Sequence, residues 1–546
     1  MTMSTLFRTA TITAPRLVGA VVAVALIITS LNLIRRLFSN ASLPSNLPWV
    51  GVGKHDNFLG RARGNLTGFF RLKDLLDEGY EKYSKNDQTY VLPYFINGPQ
   101  VVLPPSQIPW LMEQPDEVLS QMHVNRQFLE ADFTFFHANR ADIPVHPEVI
   151  AHQLTKRIGS FADDVADEVR ACLDEYWGTD TEEWREVKVY DTLLLVITRM
   201  SIRVFMGRPL CRDATFVAIC SNFIRKVVLA ATAISLFPAF LKPIVGPIFT
   251  LYDYILYRRC STYIMPMIHE RLAQLGNLVT EKPSLEDSEA HDDYVQWAIN
   301  HALAKPVRNP AEFEPRVIAA RFAVLGFAAI QSSVITLSNA IFDLAASGSC
   351  GASLASMREE VLLREKEARG KQDKGGAWSK TALARMTHVD SALRESLRMN
   401  GFIERGIMKL VVAPQGITIP DGSHIPCGTK VGVSGWSIHH DDEVYPDAMR
   451  YDAFRFVRGQ ETDETTGGKK RPQGLVNTSE TFLSFSHGSH ACPGRFFATN
   501  QLKIALGHIA LLYDIEPIAE RPVNKWLWGH IAPPLTETLR VRRRKV

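Results

Sequence analysis

The pattern of hydrophobic and polar positions indicates helices along most of the chain. Hydrophobic residues recur at spacings of three and four from Phe161 to Trp177 and from Val317 to Ala346, which places them on one face of a helix. Short strand-like runs lie at Thr89–Pro93, Gln100–Leu103 and Lys409–Val412. The predicted class is therefore mainly α with small β-sheets.

Three polar stretches are predicted to be surface loops. They lie at Glu281–Asp293, Arg364–Lys380 and Arg458–Gly474. Because the chain shows no internal repeat and no second composition class, these stretches interrupt one domain rather than divide several. We expect a single large domain at residues 57–546.

The N-terminal region has the pattern of a membrane anchor. Residues 1–16 form a short leading segment, and the 18 residues from Leu17 to Ile34 carry no charge. This length is near the lower limit for a spanning helix. The alternatives are a cleaved signal, which lacks a cut site after the apolar run, and a buried core helix. Arg35 and Arg36 favour a cytoplasmic C-terminal side, which predicts a single-pass anchor at residues 17–36.

A proline-containing hinge is predicted between this anchor and the main domain. Pro44 and Pro48 fall within residues 37–56, and proline cannot continue a helix because its ring fixes φ and removes the backbone N–H. The main domain would then be tethered to the membrane on its cytosolic side.

Composition and charge exclude several classes of protein. The chain is 46% hydrophobic and 22% charged, the balance of a globular core and surface, which excludes a disordered chain, a fibre and a multi-span membrane protein. The net charge of +3 gives no reason to expect nucleic-acid binding. The seven cysteines form no pair separated by two residues, which argues against a disulfide framework and a four-cysteine zinc site.

One cysteine lies in a glycine-rich loop ahead of an apolar helix. Gly488 and Gly494 flank Cys492, and the helix is predicted to start near Arg495. A thiolate at a helix N-terminus is stabilised, which suits it as a ligand or nucleophile. One alternative is a structural cysteine beside a turn. The other is a zinc site of His487, His490 and Cys492, which lacks a fourth ligand nearby.

This loop resembles the haem-binding loop of the cytochrome P450 family, whose pattern is Phe-x-x-Gly-x-Arg-x-Cys-x-Gly. Phe485, Gly488, Cys492 and Gly494 match at the required spacing, and His490 stands where most members carry arginine. The resemblance implies a single haem domain that binds haem b, with Cys492 as the axial thiolate of the iron. His490 would replace the family arginine as a donor to a haem propionate, with a pH-dependent charge.

Two further motifs resemble those of the same family in the expected order. Glu395 and Arg398 are three residues apart, so they share a helical face, and Arg455 matches the family's downstream arginine partner. In the long helix, Ala328 to Ser333 resemble the oxygen-activating segment, with Gln331 for the usual acid and Ser332 for the usual threonine. The resemblance assigns Ser332 and Gln331 to the catalytic site, and the lost carboxyl puts the proton route in question.

The basic residues that contact the haem propionates are less well defined. No clear counterpart of the family's early Trp-x-x-x-Arg motif is present, and Arg157 is a candidate for its arginine. Arg405 and Lys409, which follow the Glu395 helix, are further candidates.

The function implied by the resemblance is a haem-thiolate monooxygenase of the endoplasmic reticulum membrane. It would oxidise a lipophilic secondary metabolite with O₂, using NADPH through a separate reductase because the chain carries no flavin or nicotinamide fingerprint; cytochrome b5 is a second candidate donor. Similarity to a fungal branch favours a terpenoid or mixed-origin terpenoid substrate, with a polyketide or alkaloid as the alternative.

Other reaction classes are alternatives to monooxygenation. An O₂-independent haem-thiolate isomerase or dehydratase and a haem sensor remain open. An acyltransferase prompted by His439 and His440 is excluded because its pattern needs an acid where Val444 stands.

Overall fold

The computed structural model describes most of the chain outside the first 26 residues. The described residues are 27–37, 43–52, 58–96, 98–136, 148–278, 292–371, 376–402, 405–458, 473–527 and 530–545. The predicted loops at 281–293 and 458–474 lie mainly outside these ranges, as do residues 17–26, the first half of the predicted anchor.

Helices make up most of the described chain. They are α1 (residues 27–37), α2 (Phe58–Phe70), α3 (Leu72–Lys82), α4 (Ile108–Glu113), α5 (Gln121–Leu129), α6 (Ala131–Thr134), α7 (Ala162–Trp177), α8 (Val189–Met206), α9 (Ala214–Ser235), α10 (Lys242–Phe249), α11 (Leu251–Leu278), α12 (Tyr294–Ala304), α13 (Pro315–Ala346), α14 (Cys350–Lys371), α15 (Lys380–Ala384), α16 (Thr387–Asn400), α17 (Gly435–His439), α18 (Arg455–Arg458) and α19 (Arg495–Leu512). An irregular helical segment at 148–161 precedes α7.

The strands form small sheets at the edges of this helical body. They are β1 (Tyr90–Leu92), β2 (Gln100–Val102), β3 (Leu119–Ser120), β4 (Arg185–Lys188), β5 (Gly406–Val411), β6 (Ile417–Thr418), β7 (His424–Ile425), β8 (Lys430–Val433), β9 (Tyr513–Ile515), β10 (Lys525–Leu527), β11 (His530–Ala532) and β12 (Thr538–Arg543). The largest sheet has the order β1-β2-β8-β5-β3, and a second has the order β4-β12-β9. The prediction of a mainly helical fold with small sheets is confirmed.

The long helix α13 runs through the core. Its C-terminal half is almost fully buried, with Val334, Leu337 and Ile341 showing no exposed surface. Near its end the buried Asp343 accepts hydrogen bonds from Ser396 and Asn400 of α16, at 2.5 and 2.8 Å. These contacts hold the C-terminal end of α13 against α16.

The predicted loop at Arg364–Lys380 is wrong over its first part. Helix α14 continues to Lys371, and Arg364 pairs with Glu367 one turn later at 2.8 Å. The stretch is polar because the helix is on the surface there, and its arginine, glutamate and lysine residues are good helix formers. Polarity alone therefore did not distinguish a solvated helix from a loop.

The described part of the predicted hinge packs on the body. The Val50 N–H donates to the Val91 carbonyl at 3.1 Å, and the Val91 N–H donates to the Pro48 carbonyl at 2.8 Å. Leu47 and Val50 are buried. The proline segment is thus held along β1 at residues 43–52.

Helix α1 is also attached to the body. The Arg36 guanidinium donates to the carbonyls of Ile96 and Ser235, at 2.8 and 2.9 Å. Among described residues, α9 and α13 are long and apolar enough to cross a membrane, but 61% of each apolar window is buried inside the protein. Both therefore have the burial of core helices.

Candidate active site

The loop before α19 holds Cys492 in a fixed conformation. The Cys492 N–H donates to the Phe485 carbonyl at 2.8 Å, which closes the loop. Gly488 has a φ of +64°, and a Cβ at this position would lie 2.7 Å from the terminal methyl of Met112. Because both the backbone angle and the space favour glycine, Gly488 lets the loop lie against α4. Phe485, at the start of the motif, and Cys492, near its end, are therefore joined by a backbone hydrogen bond.

The surroundings of Cys492 fit a metal-bound thiolate. Burial raises the pKa of the Cys492 thiol, while the N–H groups of Gly494 and Arg495 and the Arg495 charge act in the opposite direction. A metal cation deprotonates a thiol that coordinates it, and the helix N-terminus then stabilises the thiolate. The side chain is half-buried, and a Cβ at Gly494 would lie 3.9 Å from its sulfur.

The two histidines of the loop contact different residues. His487 Nδ1 lies 3.0 Å from the Thr478 hydroxyl, whereas His490 Nε2 lies 3.4 Å from Asp116 Oδ1. Across the described residues, no three His, Cys, Asp or Glu side chains form a group that could hold a metal ion. The alternative of a zinc site with Cys492 is therefore not supported.

A lysine joins His490 near this loop. Lys409 of β5 is completely buried, and its ammonium group donates to the Gln114 carbonyl at 3.2 Å. Burial lowers the pKa of Lys409, and Asp116 opposes that shift. Burial also lowers the pKa of His490. The charge of Asp116 opposes this shift, and the charge of Lys409 adds to it. Two basic groups thus lie beside a single carboxylate that is largely exposed, and this excess of basic groups suits an anionic group such as a propionate.

The other basic candidates have partners elsewhere. Arg405 donates to the Gln100 side chain at 2.7 Å, and Arg157 pairs with Asp292 at 3.0 Å. Sequence order alone did not separate Arg405 from Lys409, because both follow the same helix; the strand pairing of β5 places only Lys409 beside His490.

Glu395, Arg398 and Arg455 form one buried ionic cluster. Glu395 Oε2 accepts from Arg398 at 2.8 Å, and Glu395 Oε1 accepts from Arg455 at 2.9 Å. Glu395 is 0% exposed and Arg398 is 1% exposed. Arg455 also donates to the carbonyls of Pro446 and Arg450. The cluster fastens the chain around 446–455 to α16.

His439 connects this cluster to the cysteine loop, a role that the sequence analysis missed. Arg398 donates to the His439 carbonyl, and His439 Nε2 accepts from the Leu483 N–H at 2.9 Å. Burial lowers the pKa of His439, with nearby His440 and Arg398 adding to the effect. A neutral imidazole therefore accepts this hydrogen bond two residues before Phe485.

The motif in α13 lies where this helix is least buried. Ala328 is exposed and Ser332, one turn later, is half-buried, although most of α13 is buried. The Ser332 hydroxyl donates to the Ala328 carbonyl at 2.9 Å. Gln331 instead accepts from the Tyr190 hydroxyl at 3.4 Å, so its side chain is directed to α8. The two predicted catalytic residues thus have separate partners, and α13 packs against α19.

Comparisons with known proteins agree with this geometry. A family model described as Cytochrome P450 matches residues 132–535. The chain is 31% identical over 513 residues to cytochrome P450 monooxygenase polB of Polytolypa hystricis, covering 92% of this chain and 94% of that one. It is 32% identical over 492 residues to cytochrome P450 monooxygenase 151 of Postia placenta, covering 88% and 91%. With the matched domain and these relatives, the chain belongs to the cytochrome P450 monooxygenase family, a family of oxidoreductases.

Proposed function

We propose that the protein is a membrane-anchored haem-thiolate monooxygenase that oxidises a lipophilic secondary metabolite. Family membership implies a haem cofactor, which when bound supplies the iron that activates O₂. The observation that carries the proposal is Cys492, a half-buried thiol at the start of α19 with backbone N–H groups of Gly494 and Arg495 beside it. In the proposal the Cys492 thiolate would hold the haem iron.

The residues around Cys492 have distinct roles in this proposal. His490 and Lys409 would bind the haem propionates, because they are two basic groups next to each other at the cysteine loop and the one carboxylate near both, Asp116, is 57% exposed. Phe485 closes the loop through its carbonyl, Gly488 keeps the backbone close to Met112, and Gly494 directly precedes α19. Glu395, Arg398 and Arg455 act as structural support.

Ser332 is proposed to hold a water and pass a proton. Replacing Ser332 by alanine removes the hydroxyl, so we expect the product formed per NADPH consumed to fall by about a hundredfold, within the range of lost proton transfer. Ser333→Ala is the matched control, because Ser333 is 2% exposed and donates in the same way to the Ala329 carbonyl at 2.9 Å. Equal losses in both variants would show that Ser332 has no special part in proton delivery.

Electrons are proposed to come from NADPH through a separate reductase, with cytochrome b5 as a second donor. The chain carries no fingerprint for binding flavin or nicotinamide, so it has no means of its own to take hydride from NADPH. Gln331 cannot ionise and is engaged by Tyr190, so we assign it a positioning role.

The proposed location is the endoplasmic reticulum membrane, with residues 17–36 as the anchor, 37–56 as the hinge and 57–546 as a cytosolic domain. Exposed apolar side chains support a lipid-facing side: Phe240, Ile244 and Ile248 are 66%, 63% and 67% exposed, and Leu31 of α1 is 59% exposed. Arg36 ties α1 to the end of α9, next to these residues. This surface also suits a substrate that enters from the bilayer.

The substrate class is proposed from the sequence resemblance: a terpenoid or mixed-origin terpenoid first, and a polyketide or alkaloid second. Purified protein reconstituted with an NADPH-dependent reductase should incorporate one oxygen atom from ¹⁸O₂ into a lipophilic product. Product formation that needs neither O₂ nor NADPH would contradict the proposal and favour the isomerase or dehydratase alternative.

A further inference from the structure

Lys430 is a buried lysine without an ionic partner among the described residues. It is 6% exposed, lies in β8, and pairs in register with Gln100 of β2 and Leu410 of β5. Within the described ranges no hydrogen bond or ion pair of its ammonium group is found. Burial, followed by the charge of Arg405, lowers the pKa of Lys430 to about 7, and Lys242 adds to this shift while Glu130 opposes it. Burying an unpaired charge is unfavourable, so this position favours an anionic partner.

The groups around Lys430 carry more positive than negative charge. Arg405 donates to the Gln100 side chain at 2.7 Å and lies 4.5 Å from the ring of Tyr94. Lys242 forms an ion pair with Glu130 at 2.5 Å, and Glu130 is 8% exposed. The described part of this basic cluster therefore has three cations, Lys430, Arg405 and Lys242, and one carboxylate that is already bound to Lys242.

The position of the basic cluster indicates the kind of ligand that it binds. Glu130 directly follows α5 and Lys242 begins α10, while Lys430 lies in β8 and Arg405 directly precedes β5 of the largest sheet. Helix α10 also carries the exposed apolar side chains Ile244 and Ile248. Positive charge thus lies next to an apolar surface, which fits a ligand with an anionic head and a hydrophobic body.

We propose that Lys430, supported by Arg405 and Lys242, binds the carboxylate of the substrate, which is therefore a lipophilic carboxylic acid. This inference rests on the proposed function, because it names the substrate class of the same enzyme. A single carboxylate supplies the partner that Lys430 lacks, and its hydrophobic body is the part available for oxidation.

The test compares acids with their methyl esters, which lack the charge. Binding of dodecanoic, abietic and 4-phenylbutanoic acids and their methyl esters to the haem-loaded protein is measured by equilibrium dialysis at about pH 6, where lipophilic carboxylic acids are ionised. The wild type should bind the acid about tenfold more tightly than its ester, as expected for a charge-assisted contact. Lys430→Met should remove this difference, and Lys430→Arg should keep it. Lys366→Met is the control because Lys366 is exposed on α14.

The pH dependence gives a test that does not need a variant to fold. A lysine with a lowered pKa is charged below that pKa and neutral above it, so the wild-type preference for the acid should decline from about pH 6 to about pH 8.5. The other charged groups that act on Lys430 are Arg405, Lys242 and Glu130. Burial raises the pKa of Glu130, and the charge of Lys242 opposes that shift. In Lys430→Arg the preference should persist at the higher pH.

Three results would overturn the inference while leaving the monooxygenase proposal intact. They are equal binding of acids and esters by the wild type, no binding of any acid, or a preference that survives in Lys430→Met. Reduced binding of Lys430→Met to phosphatidic acid vesicles, with unchanged binding of the acids, would instead assign the cluster to a lipid headgroup. If the protein has no haem-thiolate spectrum, the proposed function itself fails.

Discussion

Replacing Cys492 by serine is expected to abolish the haem-thiolate spectrum and to reduce NADPH-dependent oxidation to the background rate. A serine hydroxyl does not deprotonate as readily as a thiol and donates less electron density to iron, so the axial ligand would be lost. The loop should still form, because the hydrogen bond from the residue 492 N–H to the Phe485 carbonyl does not involve the side chain. The measurement is the absorption spectrum of the reduced, CO-bound protein, together with turnover.

Cys427→Ser is the matched control for this experiment. Cys427 is exposed and its sulfur lies 3.8 Å from the Val412 carbonyl, away from the loop that precedes α19. Its replacement should leave the spectrum and turnover unchanged. A thiolate spectrum that persists in Cys492→Ser, or disappears in Cys427→Ser, would show that the ligand assignment is wrong.

Replacing Glu395 by glutamine is expected to lower the free energy of unfolding by about 3–5 kcal/mol, because it leaves two buried or half-buried arginines without their carboxylate. Both Arg398 and Arg455 contact Glu395, at 2.8 and 2.9 Å. Arg398 also donates to the His439 carbonyl, and His439 accepts from Leu483, so the loss should extend to the cysteine loop. Urea unfolding followed by circular dichroism measures the stability, and haem release measures the effect on the loop.

An exposed ion pair provides the comparison. Arg540 and Glu516 lie 3.1 Å apart with side chains that are 52% and 40% exposed, so Glu516→Gln should change the stability by less than about 1 kcal/mol. Similar losses of unfolding free energy for Glu395→Gln and Glu516→Gln would mean that the buried cluster stabilises the fold no more than an exposed ion pair does.

The helical core and the order of its motifs were predictable because local chemistry determines them. Apolar spacing specified α7 and α13, and both helices begin within two residues of the predicted starts at Phe161 and Val317. The end of α14 was not predictable in the same way, because Arg364 to Lys371 bury few apolar side chains and their polarity also suits a loop.

Contacts between distant parts of the chain were harder to predict. Lys409 reaches His490 only through the pairing of β5, whereas Arg405 turns to Gln100. No sequence pattern singles out Lys430, because its importance comes from burial in β8 between the two strands β2 and β5. Long-range strand pairing sets these positions, and no local pattern encodes it.

The CO-difference spectrum of the reduced wild-type protein shows whether a thiolate ligates the haem iron. If Cys492 ligates haem iron, the Soret band of the CO complex will show the red shift that is characteristic of thiolate ligation. Well-folded protein that retains haem but lacks this shift, or that binds no haem, would contradict the assignment of a haem-thiolate monooxygenase.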